Sequence, residues 1–219
     1  IKKVLDLGYE KIIFTDCDDH FSRNRIKTSI TELEGNDIVV NDLDIFSGKN
    51  EVIETLYLSN RMKERQIIKF KDLIHCNMMG MSNTSANSNV LKRCLPFLGA
   101  DLVAFDWLLW TYALHFNFKA IFTSTATTKY RTHPENIAGM PQRVNKKEVL
   151  QGISIKAAHY GELLDLDTKF KKLYNDFCTV LKKTEDPVWL DNYIHQLNNQ
   201  PIYKPMWWEN IIILKETIK

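Results

Sequence analysis

The chain has 219 residues, of which 44% are hydrophobic, and 29 lysines and arginines against 27 aspartates and glutamates give a formal net charge of +2. A chain of this size buries a core of its own, and a charge so close to zero gives no electrostatic basis for binding nucleic acid. The four cysteines form no CxxC pair, which argues against structural zinc and favours reduced thiols in the cytoplasm.

The first elements are predicted to be a strand and a helix. The short apolar run at 11–16 (KIIFTD) is typical of a buried strand that ends in polar residues. Ser22 is a candidate N-cap for a helix that continues to about Leu33, with Ile26 and Ile30 on the same face as Leu33. The chain starts without a methionine, so we expect it to be a fragment of a longer protein.

The middle of the chain alternates strands and helices. Strands are predicted at 37–46 (DIVVNDLDIF) and 51–58, followed by a charged helix from 59 to about 73 and a helix at 89–95. The segment 104–116 (AFDWLLWTYALHF) is apolar on almost all sides, which is typical of a helix buried inside a domain. Its carboxylate makes a membrane span unfavourable by on the order of 3 kcal/mol on insertion scales, and no signal peptide is visible.

The last third of the chain is predicted to be helical. Two strands, 119–124 and 127–131, precede a short turn or helix that opens at Pro134. From residue 144 onwards, four helices are expected, near 145–160, 166–183, 186–198 and 206–218. We therefore expect an α/β catalytic domain at 1–143 and a helical C-terminal extension at 144–219.

An acidic cluster, Asp16-Cys17-Asp18-Asp19, follows the first predicted strand. Side chains alternate along a strand, so Asp16 and Asp18 can point the same way. Two carboxylates at a strand end suit a hard divalent cation, Mn²⁺ or Mg²⁺, that also binds phosphate oxygens. The alternative interpretation is an acidic turn that caps the next helix.

A second enzyme class begins with a similar pattern. Haloacid-dehalogenase-type phosphohydrolases place Asp-x-Asp after an apolar strand and use the first aspartate as nucleophile, which here would be Asp16. Their motif normally continues with Gly-Thr, whereas this chain has Asp19-His20, and no acidic pair follows a later strand. We keep this as an alternative hypothesis.

Two further groups are candidates for chemistry. Asp106 lies among apolar residues, where desolvation would raise its pKa and suit it to act as a general base; the alternative is that it caps the helix. Arg131 and His133 follow a predicted strand two residues apart, and they combine a bidentate phosphate partner with a common metal ligand. The alternative for this pair is a polar strand end.

Four segments together resemble glycosyltransferase family 2 and its nucleotide-diphospho-sugar transferase relatives. They are IIFTDCDDHFSRNRI, DIVVNDLDIF, GMSNT followed by AFDWLLWTYAL, and ATTKYRTHPENIAG. The resemblance covers roughly residues 1–139 and implies a GT-A-like fold, in which a Rossmann-type mixed sheet is flanked by helices. It also implies a nucleotide-sugar donor, with a UDP-sugar as the default, and usually Mn²⁺ or Mg²⁺.

The resemblance assigns roles to residues of the acidic cluster and of the late strand. Asp16 would lie near the donor ribose, Asp18 would bind the metal and the diphosphate, and Asp19 would be a neighbouring donor contact. Arg131 would lie near the diphosphate, with His133 as a second metal ligand.

Further roles concern the acceptor. Asp106 would be the catalytic base and would give inversion at the anomeric carbon. Gly80, Ser82 and Asn83, with Trp107, would line the sugar and acceptor site. The family normally has a βαβ unit before the acidic motif that binds the nucleotide base, and only about fifteen residues precede Asp16 here.

We therefore expect a metal-dependent hexosyltransferase of glycan or polysaccharide biosynthesis, with a glycan or lipid-linked acceptor. The third hypothesis is a non-catalytic binding module of the same fold. Trp207-Trp208 could contact a membrane surface, giving a peripheral location at its inner face, but such a pair is more often part of a core.

Overall fold

The computed structural model describes residues 1–49, 51–99, 102–132 and 140–214, and it divides into two compact units. The first unit comprises Ile1–Ile74, Met79–Gly99 and Leu109–Asn136, and it contains the whole described sheet. The second comprises His75–Met78, Ala100–Leu108 and Ile137–Lys219.

The first unit is built on a mixed sheet. Its strands are β1 (Lys11–Ile13), β2 (His20–Phe21), β3 (Ile38–Ser47), β4 (Val52–Glu54), β5 (Ile67–Ile68), β6 (Thr84–Asn87) and β7 (Ala120–Thr132). The main strand order is β1-β6-β3-β7-β2, while β4 pairs with β3 and β5 pairs with β7. Only the β3–β7 pair is parallel among these pairings.

The parallel pair β3–β7 is the centre of the sheet. Ile38, Val39 and Val40 are buried on both faces, as expected for apolar β-branched residues in a covered parallel strand. The register shifts where Asn41 pairs with Thr123 and the next residue pairs with Thr127. The two strands predicted at 119–124 and 127–131 are therefore one strand with an irregularity, where the backbone amide of Ser124 donates to Glu64 Oε2 at 2.6 Å.

Helices α1 (Lys2–Asp6), α2 (Arg25–Glu32) and α3 (Ser88–Cys94) belong to the first unit. Helix α4 (Phe105–His115) starts in the second unit and continues into the first. Its Trp107 and Trp110 are fully buried, which confirms the buried helix predicted at 104–116. Of the helices that the structure describes, none combines the length and apolar character needed to cross a bilayer.

Three capped helices dominate the second unit and confirm the predictions at 145–160, 166–183 and 186–198. They are α5 (Lys146–Gly161), α6 (Thr168–Lys183) and α7 (Pro187–Asn198). Their N-caps are Asn145, Asp167 and Asp186, each of which accepts a hydrogen bond from a backbone amide of the first turn. Tyr160 of α5 packs between Phe170 and Phe177 of α6, at centroid distances of 6.1 and 5.6 Å.

The prediction of a helix from residue 59 to about residue 73 was wrong. This segment contains a 3₁₀ turn at Leu58–Asn60, strand β5, and a second 3₁₀ turn at Phe70–Leu73. Buried Asp42 accepts hydrogen bonds from the backbone amides of residues 58 and 59, which holds the chain in the first turn. Arg65 then adopts a φ of 60°, a left-handed conformation that an α-helix does not contain.

Two predictions near the start of the chain also need correction. The predicted buried strand at 11–16 is shorter and half-buried, because β1 lies at the edge of the sheet. Ile26 and Ile30 are 54% and 41% exposed, and the residues that α2 buries are Arg25 and Ser29. Leu33, just after the helix, is buried against Val39 and Ile121 as expected.

The remaining departures follow backbone turns. The strand predicted at 51–58 is limited to β4 and is followed by Leu56 with a φ of 50°. The predicted helix at 206–218 is absent through residue 214, where Trp208 has a φ of 67°. Trp207 is buried, and its carbonyl accepts a 3.0 Å hydrogen bond from the amide of Asn77, so it is a core aromatic. The turn or helix expected at Pro134 lies outside the described residues.

Candidate functional site

The acidic cluster lies on a segment that crosses the sheet. Strands β1 and β2 occupy opposite ends of the main strand order, and the chain between them carries Asp16, Asp18 and Asp19. A backbone hydrogen bond from Asp19 N to Asp16 O, at 3.3 Å, closes a turn within this segment. The turn brings the three carboxylates together in one short segment between β1 and β2.

Two other predicted site residues meet this segment. Asp19 Oδ1 accepts a 2.9 Å hydrogen bond from the backbone amide of Arg131, in β7. The backbone amide of Asp16 lies 3.4 Å from the hydroxyl of Ser82. The Arg131 guanidinium is 3.5 Å from the His20 ring. The structure therefore brings together residues from three motifs that are far apart in the sequence.

The carboxylates repel one another. Partial burial, followed by the charges of Asp19 and Asp18, raises the pKa of Asp16 above its ordinary value. Burial also raises the pKa of Asp19, although the Ser82 hydroxyl and the Arg131 amide oppose this change. Oδ2 of Asp19 is buried and meets no hydrogen-bond partner within the described residues. A positive charge at this position would reduce the repulsion among the carboxylates and would give Oδ2 of Asp19 a partner.

Sequence reasoning missed Arg25, the residue beneath the acidic segment. It is fully buried, its Nε donates to Asn41 Oδ1 at 2.6 Å, and its Nη2 donates to the carbonyl of Phe14 at 3.0 Å. Its guanidinium carbon lies 3.8 Å from the ring centroid of Phe21. Burial lowers the pKa of Arg25 to about 9, and the charge of Asp19 acts against that shift. The signal was the poor apolar pattern of α2, whose inward positions are Arg and Ser.

A buried polar network supports the loop at 80–83. Thr128 Oγ1 donates to the carbonyl of Ser82 at 2.9 Å and accepts a hydrogen bond from Asn41 Nδ2 at 3.0 Å. Asn83 Nδ2 donates to the carbonyl of Asn41 at 3.3 Å. Gly80 is buried and begins the 3₁₀ turn Met81–Asn83. The loop predicted to line the sugar site is therefore fixed directly to β3 and β7.

The residues present fit a divalent cation that also binds a substrate. In the described part of the chain, no three His, Cys, Asp or Glu side chains form a metal-ligand group, and His133 lies outside that part. Mg²⁺ needs no cage made only of protein, because it is usually held by one or two carboxylates, waters and substrate phosphates. Asp16 and Asp18 are the carboxylates that would hold such an ion, and their mutual repulsion, with that of Asp19, is consistent with this role.

The predicted base lies in the second unit. Asp106 is in the first turn of α4, and its Oδ1 accepts a 2.7 Å hydrogen bond from the backbone amide of Trp107. The helix begins at Phe105, so Asp106 is not the N-cap that the alternative interpretation expected, although a carboxylate in the first turn favours the helix electrostatically. Its catalytic role stays a prediction. Trp107 is fully buried and stacks on His159 at 3.8 Å, and its predicted acceptor contact is likewise untested.

No family model and no curated protein matches the sequence. Solved structures of S. aureus TarS 1-349 are similar to this chain. The complex with UDP-GlcNAc gives a TM-score of 0.50 at 12% identity, over 81% of this chain and 50% of that chain. The UDP complex gives a TM-score of 0.51 at 12% identity, over 80% of this chain and 48% of that chain. A third structure, of TarS 1-349 alone, gives 0.50 at 13% identity, over 81% of this chain and 48% of that chain.

The chain thus spans about half the length of the TarS chains that it matches. Structural similarity at 12% to 13% sequence identity is evidence for a shared fold only. It confirms the predicted fold class, a GT-A-like α/β fold with a mixed sheet flanked by helices and a helical C-terminal region.

Proposed function

We propose that the chain is a glycosyltransferase that moves a sugar from a nucleotide-diphosphate donor to an acceptor hydroxyl, with a divalent metal and with inversion. The observation that carries the proposal is the hydrogen bond between Asp19 and Arg131, which joins the acidic segment to the segment expected at the diphosphate. The fold adds support, because TarS has been solved with UDP-GlcNAc and with UDP. UDP-GlcNAc is therefore the first donor to test.

The acidic segment has the charge pattern needed at a diphosphate. Asp18, with Asp16 beside it, would hold Mn²⁺ or Mg²⁺, which when bound neutralises the charge of the leaving group. Asp19 fixes the backbone at Arg131, and the guanidinium of Arg131 would make a bidentate contact with phosphate oxygens. Arg25 supports the segment from below through its hydrogen bond to Phe14.

Asp106 is the residue to which we assign proton transfer. Its carboxylate would accept the proton of the acceptor hydroxyl while the acceptor oxygen bonds to the anomeric carbon and the bond to the diphosphate breaks. Attack from the side opposite the leaving group gives inversion. The hydrogen bond from the Trp107 amide restricts the orientation of this carboxylate.

Calorimetry with UDP-GlcNAc in the presence and absence of Mn²⁺ tests the donor site. We expect binding that depends on Mn²⁺, and Asp18→Asn should weaken it by more than about tenfold because one carboxylate of the metal site is lost. Asp191→Asn is the matched control, since Asp191 is exposed on α7. Equal affinities for all three proteins would refute the assignment of Asp18.

The two alternative hypotheses have different signatures. A phosphohydrolase with Asp16 as nucleophile would be trapped by a metallofluoride, and Asp16→Asn would prevent the trapping. A non-catalytic module would bind the donor but show no transfer or hydrolysis with any acceptor. A glycan or lipid-linked acceptor and a peripheral membrane location stay predictions.

A further inference from the structure

A cavity lies entirely within residues of the second unit. Its volume is about 400 Å³, which is within the usual range for small-molecule sites. Apolar side chains form much of its wall, namely Leu173, Phe177, Ile211, Ile212 and Ile213. Its polar lining consists of His75, Lys156, Lys172 and Asp176.

Lys156 is the unusual member of this lining. Its side chain is 1% exposed, and its Nζ donates to the carbonyl of His75 at 2.7 Å. An ammonium group has three donors, and the described residues give Lys156 no second hydrogen bond. The Phe177 ring, with its centroid 5.5 Å from Nζ, adds a cation–π contact.

The other charged groups of the lining leave Lys156 without a compensating carboxylate in the cavity. Asp176 pairs with Lys172 at 2.5 Å on the same face of α6, and Lys172 is largely exposed. Burial lowers the pKa of Lys156 to about 7, against the charges of Cys76 and Glu209. Burial, and the nearby Lys156 and Lys169, also lower the pKa of His75, so His75 adds little positive charge at neutral pH. When Lys156 is protonated, its charge therefore lies in a mostly apolar cavity whose lining offers it no carboxylate of its own.

We propose that this cavity binds a small monoanion with an apolar body, such as a medium-chain carboxylate, whose anionic group pairs with Lys156. The anion would supply the hydrogen-bond acceptors that the buried amine lacks, and the apolar body would cover Phe177 and the isoleucines of residues 211–213. This site does not depend on the proposed transferase activity.

Octanoate and 1-octanol are the probes for calorimetry with the 219-residue chain, because they share an apolar chain and differ in charge. Wild type should bind octanoate at least about tenfold more tightly than octanol. Lys156→Met should abolish this preference and leave octanol binding unchanged. Lys172→Met, which removes the exposed lysine, should preserve most of the preference.

A measurement on the wild type keeps the test independent of the folding of Lys156→Met. Above about pH 7 the free amine loses its proton, so octanoate affinity should fall by up to about tenfold per pH unit, while octanol affinity stays level. His75, Cys76, Lys172, Asp176 and Glu209 are the other titratable groups around it. No octanoate binding, or an affinity unchanged by both pH and Lys156→Met, would overturn the proposal.

Discussion

At the scale of single residues, the acidic segment depends on an arginine that makes no contact with solvent. Arg25 donates hydrogen bonds to Asn41 in β3 and to the carbonyl of Phe14, at the start of the acidic segment between β1 and β2. A side chain of this kind joins two segments at once, and its loss leaves one buried and one partly buried acceptor without a donor. The structural role of Arg25 follows from its burial and not from its residue type alone, because Arg23, two residues earlier, is exposed.

Arg25→Met should therefore lower the free energy of unfolding by about 2–4 kcal/mol, because a buried group left unsatisfied costs about 1–3 kcal/mol and a partly buried one costs less. Urea unfolding followed by circular dichroism measures this change. Arg23→Met, two residues away and exposed, should change the value by less than about 0.5 kcal/mol. Equal effects of the two substitutions would show that Arg25 does not support the segment.

The raised pKa values of Asp16 and Asp19 predict a pH dependence of stability. Between their ordinary value of 3.8 and their raised values, the folded protein binds protons more tightly than the unfolded chain. The free energy of unfolding contributed by these groups therefore falls as the pH rises through this window. Asp19→Asn removes part of the repulsion, so the variant should gain stability relative to wild type as the pH rises from about 4.

Urea unfolding of both proteins at several pH values, at low ionic strength and without metal, provides the comparison. Mn²⁺ should then stabilise wild type more than Asp19→Asn at the upper end of the range. A stability difference that is constant with pH would contradict the proposed repulsion. Asp191→Asn should show no such trend, because Asp191 lies on an exposed face of α7.

At the scale of elements, helix α5 packs so closely against the C-terminal segment that one position requires glycine. A Cβ added at Gly152 would lie 2.6 Å from Cγ1 of buried Ile211. Cγ1 is close to the backbone of Ile211 and is not the far end of a flexible side chain. Relieving the contact therefore requires a shift of the α5 backbone or of the C-terminal segment. At Gly161, near the end of the same helix, the nearest atom is Tyr174 Cε2 at 3.3 Å.

Gly152→Ala should lower the free energy of unfolding by about 1–2 kcal/mol, since overpacking costs more than the gain in helix propensity returns. Gly161→Ala is the matched control and should be close to neutral. In a double-mutant cycle, Ile211→Ala should remove much of the cost of Gly152→Ala because the clashing Cγ1 is gone. Additive effects of the two substitutions would contradict the close contact.

The elements that the sequence predicted well are those whose pattern matches one environment over several consecutive residues. The start of β3, Ile38 to Val40, and the central turns of α4 are apolar and buried, so their residue types alone indicate these elements. The segment 59–73 has a helical composition, but Asp42, distant in sequence, fixes its first turn and Arg65 reverses the backbone. Such tertiary hydrogen bonds leave no periodic signal.

The site shows the same division. The carboxylates at 16–19 and Arg131 were identifiable from residue type and from their positions after strands, and the structure joins them. Arg25 was not identified, because an arginine on a short helix is normally solvated. The available signal was that the apolar residues of α2, Ile26 and Ile30, face outward. That orientation can be seen only in the structure.

At the scale of the whole molecule, the roles proposed here separate donor binding from transfer. The acidic segment belongs to the first unit, and Asp106 belongs to the second. Asp106→Asn should therefore leave the affinity for the donor and Mn²⁺ unchanged and lower kcat by about 10²–10⁴, the contribution of a positioned general base.

Calorimetry with UDP-GlcNAc and a coupled assay for released UDP would measure the two quantities on the same protein. Because Asp106 also accepts a hydrogen bond from the first turn of α4, thermal unfolding must show that the variant is folded. Turnover that survives the substitution without loss would show that another residue is the base.

The distance between β1 and β2 limits how much the length of the acidic segment between them can vary. Four strand spacings of about 4.8 Å separate β1 from β2, about 19 Å in all. Seven residue steps from Ile13 to His20 reach at most about 24 Å, and the turn at Asp16–Asp19 uses part of that length. An added residue could bulge outward, but a missing one would have to unwind the turn or detach β2 from the sheet. Insertions and deletions in this short stretch are therefore not equivalent.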